Sequence, residues 1–343
     1  MLEFTMQKGL WLKGAIHCHS TVSDGLLNPE DVARFYEARG YTLLSITDHH
    51  KIVSKVKCFN GIYQPGVEIS RDKCKLGEPY HIVALGVDDP AILDIKDAQL
   101  LIDYVNDMGG LTFIAHPYWS SLLHEDLIRL EGYVGIEVYN TGCDVEVAKG
   151  YSLTHWDDLL SSGKKVWGLA VDDSHSYLLP LKDADGGWIW VNVDDENSDE
   201  ILKSIREGRF YSSMAPKITT FKYASNYLRI ESSPISRLNI VTINGRGLSI
   251  SLEAITNLIR DWRDPYKRKL LRDEFVRDFD YVNEEEGRKI YLETVTNKTF
   301  AVEMKDAGIV KFEAKGEFKY PYIRIEIIDN KGRYAWVNPI IKQ

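Results

Sequence analysis

Residues 15–50 read AIHCHSTVSDGLLNPEDVARFYEARGYTLLSITDHH. Along an extended strand, residues two apart share a face. His17 and His19 therefore fall together, and Cys18 falls on the other side. Asp24 follows in a Ser-Asp-Gly turn. Asn28 as N-cap, Pro29 at the first helical position, and Glu30 and Asp31 in the first turn predict a helix. Gly40 ends it. Leu43–Ile46 then predicts a buried strand running into Asp48 and His49. A strand–loop–helix–strand unit with polar residues at both strand C-termini is the edge where parallel α/β folds build sites.

The pattern continues down the chain. Glu68 lies in a short strand over 64–70, and His81 opens another over 80–87. Helical spacing over 91–108 stops at Gly109-Gly110. Strands are expected at 111–115, ending on His116, and at 134–138, ending in Tyr139-Asn140. Another at 166–171 ends in Asp172-Asp173-Ser174-His175, and 187–193 is read as a final edge strand. Helices are expected at 122–130, 154–162 and 198–207. Such alternation implies a parallel sheet or barrel with one site at one end. His81, at a strand start, would reach that site from a loop.

From Arg209 the texture changes to strand-like runs with hairpin turns at Asn244-Gly245 and Asn330-Lys331-Gly332. The expected organisation is a barrel over 1–214 and an antiparallel β-sandwich over 215–343. Residues 259–288 form a charged insertion, read as a solvated helix.

Of the 343 residues, 44% are apolar, and the net charge is −9, which disfavours a general nucleic-acid-binding surface. Cys18, Cys58, Cys74 and Cys143 have no CxxC spacing and read as free thiols of a reducing cytoplasm. No segment resembles an apolar leader or approaches the roughly 20 residues of a membrane span. A cytoplasmic protein without membrane contact is expected.

Imidazole and carboxylate donors suit Zn, Mn and Fe ions. Two ions about 3.5–4 Å apart can clamp a phosphoryl group, and a metal-bridged hydroxide needs no Ser or Cys nucleophile. No GxSxG, HExxH or P-loop signature offers a rival mechanism. The combination HxH-x4-D…TDH resembles the opening of the PHP (polymerase and histidinol phosphatase) family of metal-dependent phosphoesterases. The resemblance spans residues about 14 to 215. It implies a distorted (β/α)7 barrel with two or three divalent ions, and a small anionic phosphoester as substrate, either a phosphomonoester or a nucleotide-like phosphodiester.

Residue by residue, it implies that His17, His19 and Asp173 hold a first ion, with Glu68 bridging to a second held by His81 and His116. Asp24, His49 and His175 would hold a third. Asp24, His49 and Asp173 are read as catalytic, and Arg71 and Asn140 as substrate-binding. Asp48 is expected to orient a ligating imidazole through its other ring nitrogen. His50, His124 and His155 read as rim or surface groups. Asp172, where a small residue is usual in the family, adds a carboxylate that could exchange roles with Asp173. Two alternatives remain open: hydrolysis of a carboxyl ester or carbamate at the same site, and a non-catalytic binding module that keeps its metals for folding.

Overall fold

Ile16 and the second part of the strand before it, Leu12–Ala15 of β2 (Leu10–Ala15), are buried, whereas Leu10 at the strand's start is exposed. The computed structural model describes residues 2–5, 9–177, 182–284 and 287–341. The chain divides into two compact units: Leu10–Met214 with Val337–Pro339, and Met1–Gly9 with Ala215–Trp336 and Ile340–Gln343. The first nine residues thus leave the expected barrel segment, because β1 (Leu2–Thr5) pairs antiparallel with β12 (Ile218–Ala224).

The first unit is mixed α/β. After β2 come β3 (Leu43–Leu44), β4 (Ile62–Tyr63), β5 (Gly66–Lys73), β6 (Pro79–Leu85), β7 (Leu111–Ile114), β8 (Gly135–Asn140), β9 (Trp167–Val171), β10 (Trp188–Val193) and β11 (Phe210–Ser213). The helices are α1 (Pro29–Glu37), α2 (Ala98–Asp107), α3 (His124–Ile128), α4 (Thr141–Val147), α5 (Leu153–Ser161) and α6 (Ser198–Arg206). Asn28 caps α1 as its sequence predicts, its side chain accepting from the Asp31 amide at 2.9 Å. Helix α4, directly after Asn140, has no counterpart in the sequence reading.

No closed barrel forms among the described residues. One sheet has the order β5-β6-β7-β8-β9, and the strands β11-β10-β2-β3-β4 lie in another. Only some neighbours are parallel: β5, β6 and β7 pair antiparallel, and so do β2, β10 and β11. Strand β10, expected at an edge, lies between β2 and β11. Single-residue bridges join the two sheets at two places, Cys18 to Ser174 and His49 to Glu68. The chain leaves regular pairing at these seams, and bonds such as Thr47 N–H to Cys18 O and Asp173 N–H to His17 O continue it irregularly. Every seam residue is a candidate ligand or its neighbour. Between the sheets, Ile16, Phe113, Leu169, Ile189 and Ile205 of α6 meet in one buried cluster.

The second unit carries an antiparallel sheet in the order β1-β12-β13-β19-β18-β17-β16 and the strands β15-β14-β20 of another. Its elements are β13 (Tyr227–Ile235), β14 (Arg237–Val241), β15 (Gly247–Ser251), α7 (Leu252–Arg263), α8 (Pro265–Glu274), β16 (Val276–Glu284), β17 (Gly287–Thr294), β18 (Thr299–Lys305), β19 (Gly308–Lys315) and β20 (Tyr322–Ile328). The charged insertion is helical only to Glu274, and β16 (Val276–Glu284) and the start of β17 follow. Ser251 starts the first helix, and Asp264 with Pro265 at the first helical position starts the second. No helix among the described residues is long and apolar enough to cross a membrane.

Trp156 on α5 is fully buried, and its indole N–H donates to Val166 O at 3.0 Å. Trp156→Ala should destabilise the first unit by about 3–5 kcal/mol. Denaturant midpoints measure this, and a loss below about 1 kcal/mol would contradict the packing.

Candidate metal centre

Six strands and one loop bring side chains together where the sheets meet. His17 and His19 leave β2, His49 follows β3, Glu68 sits in β5, and His81 sits in β6. His116 follows β7, and Asp173 and His175 follow β9. Asp24 arrives on the loop before α1. The buried polypeptide at Glu68 explains the convergence: its amide bonds Thr47 O, and its carbonyl accepts from the His50 amide.

The tightest group is His17, His19, Glu68 and Asp173. The two Nε2 atoms are 3.2 Å apart, and each lies 3.3 Å from Glu68 Oε2. Asp173 Oδ1 lies 3.2 Å from His17 Nε2 and 3.0 Å from His19 Nε2. A tetrahedral ion with bonds of about 2.0–2.1 Å separates its ligands by about 3.3–3.4 Å, so these atoms already stand at coordination spacing. Two fully buried atoms here, Glu68 Oε2 and His19 Nδ1, have no hydrogen-bond partner among the described residues. Buried polar atoms are rarely left so, and a cation satisfies an orphaned carboxylate oxygen directly. The donor set fits a metal.

The other oxygen of Glu68 faces a second group. Oε1 lies 2.8 Å from His81 Nδ1 and 3.4 Å from His116 Nε2. A third group joins His19, Asp24, His49 and His175. His175 Nε2 is 3.5 Å from Asp24 Oδ1, and His49 Nε2 is 3.8 Å from Asp24 Oδ2. His19 belongs to two groups, and His49 Nδ1 lies 3.0 Å from Glu68 Oε2, so the third group is continuous with the first.

Charge sets the protonation of this ion-free arrangement. Burial lowers the pKa of His17, but the Asp173, Glu137 and Glu68 carboxylates outweigh it and hold the imidazole well above its ordinary value. Burial likewise opposes protonation of His19, yet Asp173 and Glu68 raise it to about 9. Against their own burial, Glu68 and Asp173 are held well below the carboxylate range by His17 and the neighbouring imidazoles.

Three further carboxylates hold the arrangement in place, and the sequence reading assigned none of them this role. Glu137 Oε1 accepts from His17 Nδ1 at 2.6 Å, leaving Nε2 for the cluster. Its Oε2 accepts from the His116 amide at 2.7 Å and from Asn140 Nδ2 at 2.8 Å. Asp183 accepts three backbone N–H groups, those of His175, Ser176 and Tyr177. Asp172 accepts the amides of Asp185, Gly186 and Gly187 together with the Tyr36 hydroxyl. It therefore anchors a loop and does not exchange places with Asp173. Its burial pushes its pKa up to about 6.

Two expectations are corrected. Asp48 orients no imidazole; it accepts from the backbone and hydroxyl of Ser20 and Ser23, tying down the turn that carries Asp24. Asn140 is fully buried, its Nδ2 donating to Glu137 and to Asp173 Oδ2 at 3.0 Å and its Oδ1 accepting the Cys143 amide. Both Nδ2 hydrogens are thus taken up inside the protein, and Asn140 holds Asp173.

Arg71, near the end of β5, has a buried Nε without a hydrogen-bond partner and no ion pair among the described residues. The neighbouring His50 instead turns to Ser70 Oγ at 3.0 Å. His124 and His155 stand outside the three groups, bonding Ser162 and Leu122 O. Trp119 packs edge to face on His81 and His116, with centroids 5.7 and 5.0 Å away, and walls the second group.

No family model matches the chain, and no curated protein matches it. Among solved structures, it is similar to a two-domain protein from Bacteroides vulgatus described as containing a predicted PHP-like metal-dependent phosphoesterase. The TM-score is 0.50 at 15% identity, covering 96% of this chain and 95% of that one. The two share a fold. The PHP resemblance read from the motifs thus has a structural counterpart, at an identity that speaks for fold alone. An amidohydrolase from Chromobacterium violaceum, solved with sulfate and no metal, matches at TM-score 0.38 and 18% identity over 49% of this chain and 93% of its own. A candidate metal-dependent phosphoesterase from Bifidobacterium adolescentis matches at 0.41 and 13%, over 56% and 94%. Only the first bears on the fold.

Because protons occupy the imidazoles that an ion would use, ion uptake must displace them. Affinity for Zn or Mn should rise as pH climbs toward about 9, where His19 loses its proton in the ion-free protein. Calorimetry in buffers of different ionisation enthalpy should show proton release. Uptake without proton release and flat with pH would contradict this electrostatic arrangement.

Proposed function

We propose that this chain is a metal-dependent phosphoesterase acting on a small anionic phosphoester, a phosphomonoester or a nucleotide-like phosphodiester. One observation carries the reading: Glu68 turns each of its oxygens to a different cluster of imidazoles, as a carboxylate shared by two ions would. His17, His19, Glu68 and Asp173 would hold one ion, Glu68, His81 and His116 a second, and Asp24, His49 and His175, with His19, a third. Zn, Mn and Fe all suit these donors. Bound divalent ions supply positive charge toward phosphoryl oxygens and acidify water.

The chain's own residues set the geometry. Asn140 and Glu137 keep Asp173 and His17 aimed at one point, so no side chain need reorganise during reaction. The Asp24 side chain is 56% exposed and His49 28%, which places both on the open side of the cluster. In this reading they act as ligands of the third ion on that open side, ion-acidified water gives the leaving alkoxide its proton, and buried Asp173 stays ionised. Arg71 would receive the substrate's remaining anionic oxygens, its guanidinium having no carboxylate partner among the described residues. The four unpaired cysteines support a cytoplasmic location.

The test pairs metal analysis with turnover. Purified protein should bind up to three ions, one per group, and turn over p-nitrophenyl phosphate or its bis-ester, with inorganic phosphate competing. Glu68→Gln should lower metal content and bring phosphoester turnover to background. Rapid cleavage of p-nitrophenyl acetate with no phosphoester turnover and no response to phosphate would reject the assignment in favour of carboxyl-ester chemistry. Arg71→Met should keep the metal content but raise KM for phosphoesters roughly tenfold or more, since a charge-assisted hydrogen bond contributes about 1.5–3 kcal/mol. An unchanged KM would remove Arg71 from the substrate site.

A further inference from the structure

At one end of the second unit four turns converge on a groove of about 920 Å³. Asn226 belongs to the turn between β12 and β13, Arg246 to that between β14 and β15, and Thr296–Lys298 to that between β17 and β18. Lys315–Tyr320 follows the end of β19. Four cations line it, Arg246, Lys298, Lys315 and Lys319, against the single carboxylate of Glu317. Glu317 pairs with Lys319 at 2.7 Å, whereas Arg246, Lys298 and Lys315 have no ion pair among the described residues. In a chain of net charge −9, carboxylates are plentiful, yet these three cations gather around one concavity and give it a local positive charge suited to a polyanion.

The groove also presents aromatic rings. Tyr227 and Tyr320 are half-buried in its wall. The Lys298 ammonium stands 5.9 Å from the centre of the Tyr320 ring, and the Tyr227 hydroxyl is fixed by Glu313 at 2.7 Å. The backbone is built to hold this shape. Gly316, with φ of 138°, donates to Asn226 O at 3.0 Å, and a Cβ there would come within 2.9 Å of Lys298 Cγ. Glycine at this position lets the lysine stem lie against the turn.

We propose that this groove binds single-stranded nucleic acid. Phosphates would meet Arg246, Lys298 and Lys315, while unpaired bases stack on Tyr320 and Tyr227, the combination that sequence-tolerant single-strand sites use. A duplex offers no free base faces to the tyrosines, and a sulfated polysaccharide offers none at all. The acidic remainder of the chain repels a long polyanion, so binding is confined to the groove and is sensitive to salt. This site stands independently of the phosphoesterase reading.

The test uses the full-length protein and a fluorescein-labelled oligothymidylate of about twelve nucleotides, within the span usual for such sites, followed by anisotropy. Binding should weaken with salt at a log–log slope of about −2, as for three phosphate contacts on a single strand. Lys298→Glu with Lys315→Glu should abolish it, and Tyr320→Ala should weaken it about tenfold. Melting temperature and p-nitrophenyl phosphate turnover should stay at the parent values in both variants. Absence of binding at low salt overturns the proposal. So does equal affinity for heparin or duplex with no effect of Tyr320→Ala, which would mark an unspecific cationic surface.

Discussion

A single buried carboxylate, Glu68, holds the first unit's architecture and its site together. Its backbone forms the bridge between β5 and the segment after β3, a point where the two sheets touch. Its side chain, without exposure, meets five imidazoles: His17, His19 and His49 through one oxygen, His81 and His116 through the other. A buried charge is expensive unless compensated. Here the compensation comes from residues on four different strands or their ends, so the carboxylate ties those strands into one arrangement. Its orphaned Oε2 shows that the imidazoles do not complete the compensation.

Around this centre the same device recurs: an acidic side chain is buried and turned onto backbone amides. Asp48 secures the turn of Asp24, Asp183 the segment of His175, Asp172 the loop of 185–187, and Glu137 both His17 and the backbone of His116. His116 sits at a φ of 28°, a strained backbone for a side-chain-bearing residue. Its amide bond to Glu137 and its ring bond to Ser120 hold it there. The loops that carry ligands are therefore fixed by charge-assisted hydrogen bonds instead of regular ladders, which fits a sheet that fails to close at the place where the ligands stand.

Much of this was legible in the residues themselves. The spacing of His17 and His19, the N-cap at Asn28 and the strand-terminal positions of Glu68, His116, Asp173 and His175 are local patterns, and local patterns follow from backbone periodicity alone. The resemblance to the PHP motifs implied all nine proposed ligands, and they lie in three adjoining groups. The helical character of the charged insertion was also visible, though not its extent, because β16 is held by β17, which pairs in turn with β18 beyond the insertion.

Sequence by itself determined which residue types stand at strand ends, and so the chemistry available. Tertiary structure decided how they are shared. Whether an acid faces an imidazole or an amide depends on which segment packs opposite it, so Asp48 and Asn140 took structural tasks while Glu137 took the orienting one. The antiparallel direction of β6 and β10 and the open seams likewise rest on long-range pairing that alternation of elements does not encode. Net charge carries no position in the same way: a sum over the chain erases location, and only folding gathers Arg246, Lys298 and Lys315 around one groove. Periodicity is a property of neighbours along the chain, whereas pairing and charge clustering are properties of neighbours in space.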